Sequence, residues 1–427
     1  MRALKLAIIG AGSTYTPELI EGLIDKREQL PIQSIYLMDI DDRKLSIVGG
    51  LAQRMLEAGN MPTEVVLTDD LDEAVRGADY VMGQVRVGKL DARILDEKIP
   101  LKHGLLGQET TGAGGFMNGL RTIPVIMDVA ETMERLAPDA WLINFSNPAG
   151  MVAEAVLNHS SIKMMGLCNI AVNMLKSVQE SLPEGAAFDY DFLGLNHLCW
   201  ITRIETDGKD ILNELIEGDL KLSRMRNLSD PLYDKDLLKA TKGIPAGYLN
   251  YFYFREREVE RCLAKPKTRG EECKVIEEDL LQLYSDPSLK EKPSLLEKRG
   301  GALYSTAAIS LIDAIENDRN EYHVVNVKNQ GALDFMDFDD VVEVKCMVGK
   351  DGAKPVPVRN FNNDFIIGLM KAVKAYEKLA VKAALNGDYH AALAALLVHP
   401  LIGDYHKAKA VLDEMLEANE EFVPRFS

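Results

Sequence analysis

The chain has no run of 18 apolar residues, so no membrane-spanning helix is expected. Its opening segment, MRALKLAIIGAG, lacks an apolar core followed by a cleavage site and is not read as a signal peptide. Cysteine is sparse: Cys168, Cys199, Cys262, Cys273 and Cys346 are scattered, odd in number and without a CxxC pair. That pattern argues against a disulfide framework and suits a reducing cytoplasm. Positive charge is in deficit, with 49 Lys and Arg against 66 Asp and Glu, a net −17. A surface this acidic speaks against nucleic acid or a membrane as partner, although a few arginines can reverse the field inside one pocket. Internal repeats and low-complexity linkers are missing too, so no compositional marker separates domains.

What is present is an ordinary globular balance, 47% apolar and 27% charged over 427 residues, enough for two domains. Residues 4–9, 34–40, 64–68, 79–85 and 140–146 read as short apolar strands. Between them, 16–27, 41–58, 71–78 and 118–136 carry helical spacing, with Thr16 as N-cap and Pro17 at the first helical position. This alternation predicts right-handed βαβ units on a parallel sheet. The expected fold is α/β: a Rossmann-type doubly wound domain over 1–150, then an α+β domain over 151–427. In the second part, 163–169 reads as a strand and 192–211 as a hairpin turning at Asp207-Gly208. The charged stretch 253–284 reads as a solvated helix. Strands are expected at 321–331 and 341–349, and helix from 363 to 419 with a break at His399-Pro400.

The junction Gly10-Ala11-Gly12-Ser13-Thr14-Tyr15 follows the first strand and precedes the first helix. Two glycines there let a backbone approach a pyrophosphate, and the helix N-terminus offers free N–H groups and a positive dipole end. The usual third glycine is missing. Asp39, at the end of the second strand, is placed to bind ribose hydroxyls and to disfavour a 2′-phosphate, which selects NAD over NADP. The bland alternative is a tight turn with no nucleotide.

Ligands of open α/β sheets bind beyond the carboxyl ends of the strands. Polar residues cluster at such ends: Arg86 and Arg93, Gln108 to Thr111, Asn144 and Asn147, Cys168 and Asn169, then Asn196 and His197. A thiolate and an imidazole suit a borderline divalent ion with open positions. A buried cysteine and a core histidine are the plain alternative. Tyr248, Tyr251 and Tyr253 follow the loop signal Lys242–Pro245. Aromatic packing accounts for most of these rings, with at least one phenol free to face a cleft.

Taken in order, GAGSTYTPELI (10–20), GLLGQETTGAGGF (104–116), INFSNPAG (143–150), GLCN (166–169), GLNHL (194–198), KRGGALYSTAA (298–308) and HVVNVKNQG (323–331) resemble glycoside hydrolase family 4, in particular its 6-phospho-β-glucosidases. Most glycosidases work through a pair of carboxylates, and this NAD-dependent family departs from that scheme. The resemblance implies NAD and a divalent metal, usually manganese, held by Cys168 and His197. It implies Tyr248 as catalytic base, with Tyr251 or Tyr253 as substitutes. Arg93, Asn147 and Arg299 match sugar-phosphate positions. Asn169 stands where α-specific members carry an acid, which favours a β-linked substrate. Ile170-Ala171 replaces the Val-Pro common in β-specific members. The implied chemistry is elimination: hydride leaves C3, Tyr248 takes the C2 proton, the aglycone departs, water adds and hydride returns. The implied substrate is a phosphorylated disaccharide or aryl 6-phospho-β-glucoside, and the implied assembly a homodimer or homotetramer. An α-specific family member, a net NAD-dependent hydroxy-acid dehydrogenase and a non-catalytic NAD-binding regulator are the alternatives.

Overall fold

The computed structural model describes residues 2–218, 220–222, 228, 230–299, 304–358 and 360–426, with the backbone alone at 304–306. The first half runs β1 (Leu4–Ile9), α1 (Thr16–Asp25), β2 (Ile32–Met38), α2 (Asp42–Ala58), β3 (Glu64–Thr68), α3 (Leu71–Val75) and β4 (Tyr80–Gly83). Then come α4 (Lys89–Lys102), α5 (Gly112–Leu136), β5 (Trp141–Asn144), α6 (Ala149–His159), β6 (Lys163–Gly166) and α7 (Asn169–Gln179). The second half begins with β7 (Asp189–Leu195), β8 (Leu198–Thr206), β9 (Lys209–Asp210), α8 (Leu212–Glu217), α9 (Lys235–Thr241) and β10 (Ile244–Pro245). A 3₁₀ turn (Gly247–Leu249) leads into α10 (Asn250–Tyr253), α11 (Arg255–Ala264) and α12 (Arg269–Tyr284). A second 3₁₀ turn (Ser294–Arg299), α13 (Tyr304–Glu316), β11 (Glu321–Lys328), β12 (Val341–Gly349) and β13 (Gly352–Pro355) follow. Helices α14 (Asp364–Asn386), α15 (Tyr389–Val398) and α16 (Tyr405–Ala418) close the chain.

The strands of the large sheet lie in the order β13-β12-β11-β6-β5-β4-β1-β2-β3. The six from β3 to β6 are parallel, which is the doubly wound order with its reversal between β1 and β4. Helices cover both faces, and this explains why β1 reads as an almost unbroken apolar run: five of its six residues are buried. The sheet does not end at residue 150. β6 is its sixth parallel strand, and β11, β12 and β13 extend it antiparallel. A smaller sheet of β10, β8, β7 and β9 belongs to the second half.

Several local expectations shift. The 192–211 hairpin reverses twice. Its main turn is Asn196-His197, between β7 and β8, while Asp207-Gly208 joins β8 to the short β9. Both residues of the latter have positive φ, as a tight two-residue turn requires. Helix α5 begins at Gly112 rather than 118, and α4, α6 and α7 are helices beyond those expected. The C-terminal helical region breaks after Val398, and again at Gly387, whose φ of +63° ends α14.

Candidate active site

A cavity of about 760 Å³ opens beyond the carboxyl ends of the parallel strands, at the β1/β4 crevice. Topology puts a ligand site there because the chain crosses to opposite faces of the sheet on either side of it. One part of the wall is the β1–α1 turn. Gly10 has φ +86°, and a Cβ there would stand 2.9 Å from the Gln84 carbonyl oxygen. The Gly12 N–H donates to Asp39 Oδ2 at 2.8 Å and the Asp41 N–H to Oδ1 at 2.9 Å, so the carboxylate is fixed at the end of β2. Gly10, Gly12, Ser13 and Asp39 line the cavity. Thr14 does not: its hydroxyl accepts from Arg299 Nη1 (3.0 Å) and its carbonyl from the Tyr284 hydroxyl (2.9 Å), which turns it into the protein. Thr16 is the first helical residue and not the cap, because its hydroxyl donates to the Ala11 carbonyl at 2.8 Å. No side chain caps α1, leaving its positive end available to an anion.

The opposite part of the wall comes from chain segments far apart in sequence. Asn147 follows β5, with a cis bond to Pro148, and Asn169 opens α7. His197 sits in the β7–β8 turn with φ +67°. Tyr248 sits in the 3₁₀ turn, its ring stacked on His197 with centroids 4.0 Å apart and planes 3° from parallel. All four line the cavity. Tyr251 and Tyr253 do not. Tyr251 is buried edge-on to Tyr248, and the Tyr253 hydroxyl accepts from Trp200 Nε1 at 3.1 Å. Burial pushes the Tyr248 phenol up, the Thr110 hydrogen bond pulls it down, nearby Cys168 and Glu109 raise it, and Arg93 lowers it.

Burial lowers His197 to about 4, so the imidazole is neutral at pH 7, and its Nδ1 is buried without a hydrogen-bond partner. A neutral ring with an unspent nitrogen fits a metal ligand. Cys168 is buried at the head of α7, beneath the wall rather than on it, and is not in a disulfide. It lies near enough to act on the Tyr248 phenol. Among the described residues no three His, Cys, Asp or Glu side chains gather in a metal-binding group. A divalent ion on Cys168 and His197 would therefore keep positions open for substrate oxygens.

Arginines meet at this wall, matched by carboxylates. Arg93, on α4, is buried and bonded to Glu97 (2.9 Å) and Glu109 (2.9 Å); Arg86 takes the other oxygen of Glu109. Arg299 pairs with Glu277 (2.7 Å) and lies over the Tyr15 ring. Arg269, which belongs to none of the sequence motifs, also lines the cavity. Both Arg269 and Arg299 hold a buried Nε with no partner. The stretch 253–284, expected as one solvated helix, is in fact two helices, α11 and α12, and α12 brings Arg269 and Glu277 to the wall. One signal for this lies in the sequence: Thr268 and Glu271 form a capping box, which starts a helix at Arg269. Glu109 is visible in the sequence only as a polar loop residue, yet it bridges two arginines. Of the KRGGALYSTAA motif, residues 300–303 lie outside the described residues.

The family model for family 4 glycosyl hydrolases matches residues 5–184, and that for the family 4 C-terminal domain matches 192–402. This chain belongs to glycosyl hydrolase family 4. It is 43% identical to a probable 6-phospho-beta-glucosidase of Bacillus subtilis (strain 168), covering 100% of this chain and 98% of the relative. It is 41% identical to a 6-phospho-beta-glucosidase of Escherichia coli (strain K12), covering 99% and 97%. The 6-phospho-beta glucosidase of Thermotoga maritima, solved with manganese, NAD+ and glucose-6-phosphate, superposes with a TM-score of 0.90 at 35% identity, over 99% of this chain and 100% of that one. Lactate dehydrogenase of Eimeria maxima, at 13% identity and a TM-score of 0.54, over 91% and 96%, shares the fold alone. Among the described residues of this family 4 chain, no helix is long and apolar enough to cross a membrane.

Proposed function

We propose that this chain hydrolyses 6-phospho-β-glucosides to glucose 6-phosphate and the aglycone, using NAD and a divalent metal, with manganese the expected ion. One observation carries the reading: a single cavity joins the glycine turn and Asp39 to the His197–Tyr248 stack and a set of arginines. When bound, NAD supplies a hydride acceptor for C3 and the metal supplies Lewis acidity toward the sugar oxygens. Gly10, Gly12 and Ser13 present backbone to the pyrophosphate, while Asp39 takes the ribose hydroxyls. Cys168 and His197 hold the metal. Tyr248 takes the C2 proton, after which the aglycone leaves C1, water adds with a proton restored at C2, and hydride returns to C3, so that the sugar leaves at the oxidation level at which it entered. Arg93, Arg269 and Arg299, with Asn147, bind the 6-phosphate through charge-assisted pairs, which is how an acidic protein retains an anion. Asn169 supports a β-linked substrate, since no acid stands there to protonate a poor leaving group. Five cysteines, none in a disulfide, are in keeping with a cytoplasmic setting.

The test pairs two experiments. Nitrophenyl α- and β-glucosides, with and without the 6-phosphate, are assayed with NAD and Mn²⁺ under reducing conditions. The phosphorylated β-glucoside is expected to react, and turnover to stop on chelation. Run in deuterated water, the reaction should place deuterium at C2 of the product, because elimination breaks the C2–H bond and two-carboxylate hydrolysis does not. Unlabelled product, or NADH released in step with substrate, overturns the proposal.

A further inference from the structure

The end of the chain reaches the cofactor half of the cavity. Helix α16 stops at Ala418, and Ala418, Asn419 and Phe422 line the cavity. Phe422 lies past residue 402, where the match to the family's C-terminal domain ends. Its place is fixed through Asn419, which is 1% exposed. Asn419 Oδ1 accepts from Arg121 Nη1 at 2.8 Å, and its Nδ2 donates to the Met415 carbonyl at 2.8 Å. The Phe422 N–H donates to the Asn419 carbonyl at 2.8 Å, which turns the chain back and carries the ring to the β4–α4 turn. A Cβ on Gly88, in that turn, would touch the edge of the ring at 3.5 Å. The next residue, Lys89, pairs with Asp41 Oδ2 at 2.6 Å, and the Asp41 N–H bonds Asp39 Oδ1 at 2.9 Å. Phe422 therefore stands on the side of the cavity that holds the acid assigned to the ribose hydroxyls.

The lining of this end is apolar. Ile40, next to Asp39, is 83% exposed. Leu71 opens α3, and Val125 and Val129 line the cavity from α5, with Val125 one helical turn beyond Arg121. Phe422 is 40% exposed, although its ring is large and apolar. Apolar side chains left uncovered around one end of a cavity mark that end as the place for an apolar group of the ligand. In a dinucleotide whose adenosine ribose is held at Asp39, the group attached to that ribose is adenine. A purine has two flat faces that stack on aromatic side chains, and phenylalanine supplies such a face at little cost in conformational freedom.

We infer that Phe422 stacks on the adenine ring of NAD, so that the C-terminal segment completes the adenosine half of the cofactor site. The inference rests on the NAD reading above and is tested apart from it. Isothermal titration measures NAD, ADP-ribose and nicotinamide mononucleotide on the full-length chain. A wild-type chain that binds no NAD removes that reading and this inference with it. With NAD bound by wild type, Phe422→Ala should weaken NAD and ADP-ribose alike by roughly 10-fold, the loss expected for one aromatic–base stack. Nicotinamide mononucleotide, which carries no adenosine, should bind as it does to wild type. Phe422→Tyr keeps the ring and should keep the affinity. Phe422→Trp gives a readout that does not depend on truncation: ADP-ribose should quench the added indole fluorescence, and nicotinamide mononucleotide should not. If Phe422→Ala does not fold, the tryptophan variant decides. ADP-ribose affinity equal to wild type in folded Phe422→Ala, an equal loss for the mononucleotide, or an indole that ADP-ribose leaves unquenched overturns the inference.

Discussion

A phenol as buried as Tyr248 resists ionisation, yet it stacks against an imidazole that burial keeps neutral, within reach of Thr110 and Arg93. If Tyr248 is the base proposed above, its anion needs nearby positive charge, which a cation beside His197 would supply. Tyr248→Phe preserves the ring and its packing. It should fold, bind NAD and lose turnover by about 10²–10⁴-fold, the span of a proton-transfer catalyst. Steady-state rates beside an NAD titration check this, and near-normal turnover would remove Tyr248 from the chemistry. His399 offers a stability test. Burial lowers it to about 3, and its Nδ1 accepts from the Leu401 N–H at 3.1 Å. Between pH 6.5 and 3 the unfolded chain binds a proton there that the native state refuses, so His399 costs stability as pH falls through that window. His399→Asn keeps an acceptor without the titration. Urea unfolding should then show a pH slope shallower than wild type by about 1.4 kcal/mol per pH unit between about pH 6 and 4. An identical slope would contradict the assignment.

At the scale of elements, function is mounted on turns held by regular structure. The β1–α1 turn works because Gly12 has no side chain: a Cβ there would stand 2.8 Å from Asp39 Oδ2. Gly12→Ala must push Asp39 aside and fill the space meant for backbone approach. NAD affinity should fall at least about tenfold, or about 1.4 kcal/mol, with Mn²⁺ affinity unchanged. Isothermal titration of each ligand measures both, and wild-type NAD affinity would show that the turn is not the nucleotide site. The β7–β8 turn behaves differently. A non-glycine residue, His197, takes positive φ, a conformation kept only where the surroundings impose it. The hairpin's location is readable from its apolar flanks, but Asp207-Gly208 is the stronger local turn signal and masks the one at Asn196-His197.

Across the whole molecule, the C-terminal segment closes over the first 150 residues. Ala418, Asn419 and Phe422 line the cavity, although nothing in their local sequence marks them. Asn419 Oδ1 accepts from Arg121 Nη1 at 2.8 Å, and Arg121 makes paired bonds to Asp96 (2.9 and 2.5 Å). Arg121 and Asp96 are each 1% exposed. Arg121→Leu strands the Asp96 charge and should cost about 3–5 kcal/mol in urea unfolding, whereas Arg121→Leu with Asp96→Leu should recover much of it. Equal stability of the single and double variants would count against the buried pair.

Much is decided within a few residues of chain. Strands covered on both faces must be short apolar runs, and helices with one buried face must repeat every 3.6 residues, so β1 to β5 and α1 to α3 could be read directly. The Gly-x-Gly turn and the acid at the end of β2 were readable for a similar reason: a tight strand-to-helix turn calls for glycine, and the structure fixes Asp39 at the strand end through the Gly12 and Asp41 N–H groups. Tertiary structure decided the remainder. That Tyr248 rather than Tyr251 or Tyr253 meets the cavity depends on where the 3₁₀ turn packs against the small sheet. Arg269 joins the wall because α12 docks beside α4, and β11 to β13 extend the sheet because β11 pairs with β6 from a distance in sequence. Thr14 faces inward because Arg299 and Tyr284 claim it. Local pattern reports how buried each residue is; which buried surfaces meet is settled by long-range pairing, and the active site consists of those meetings.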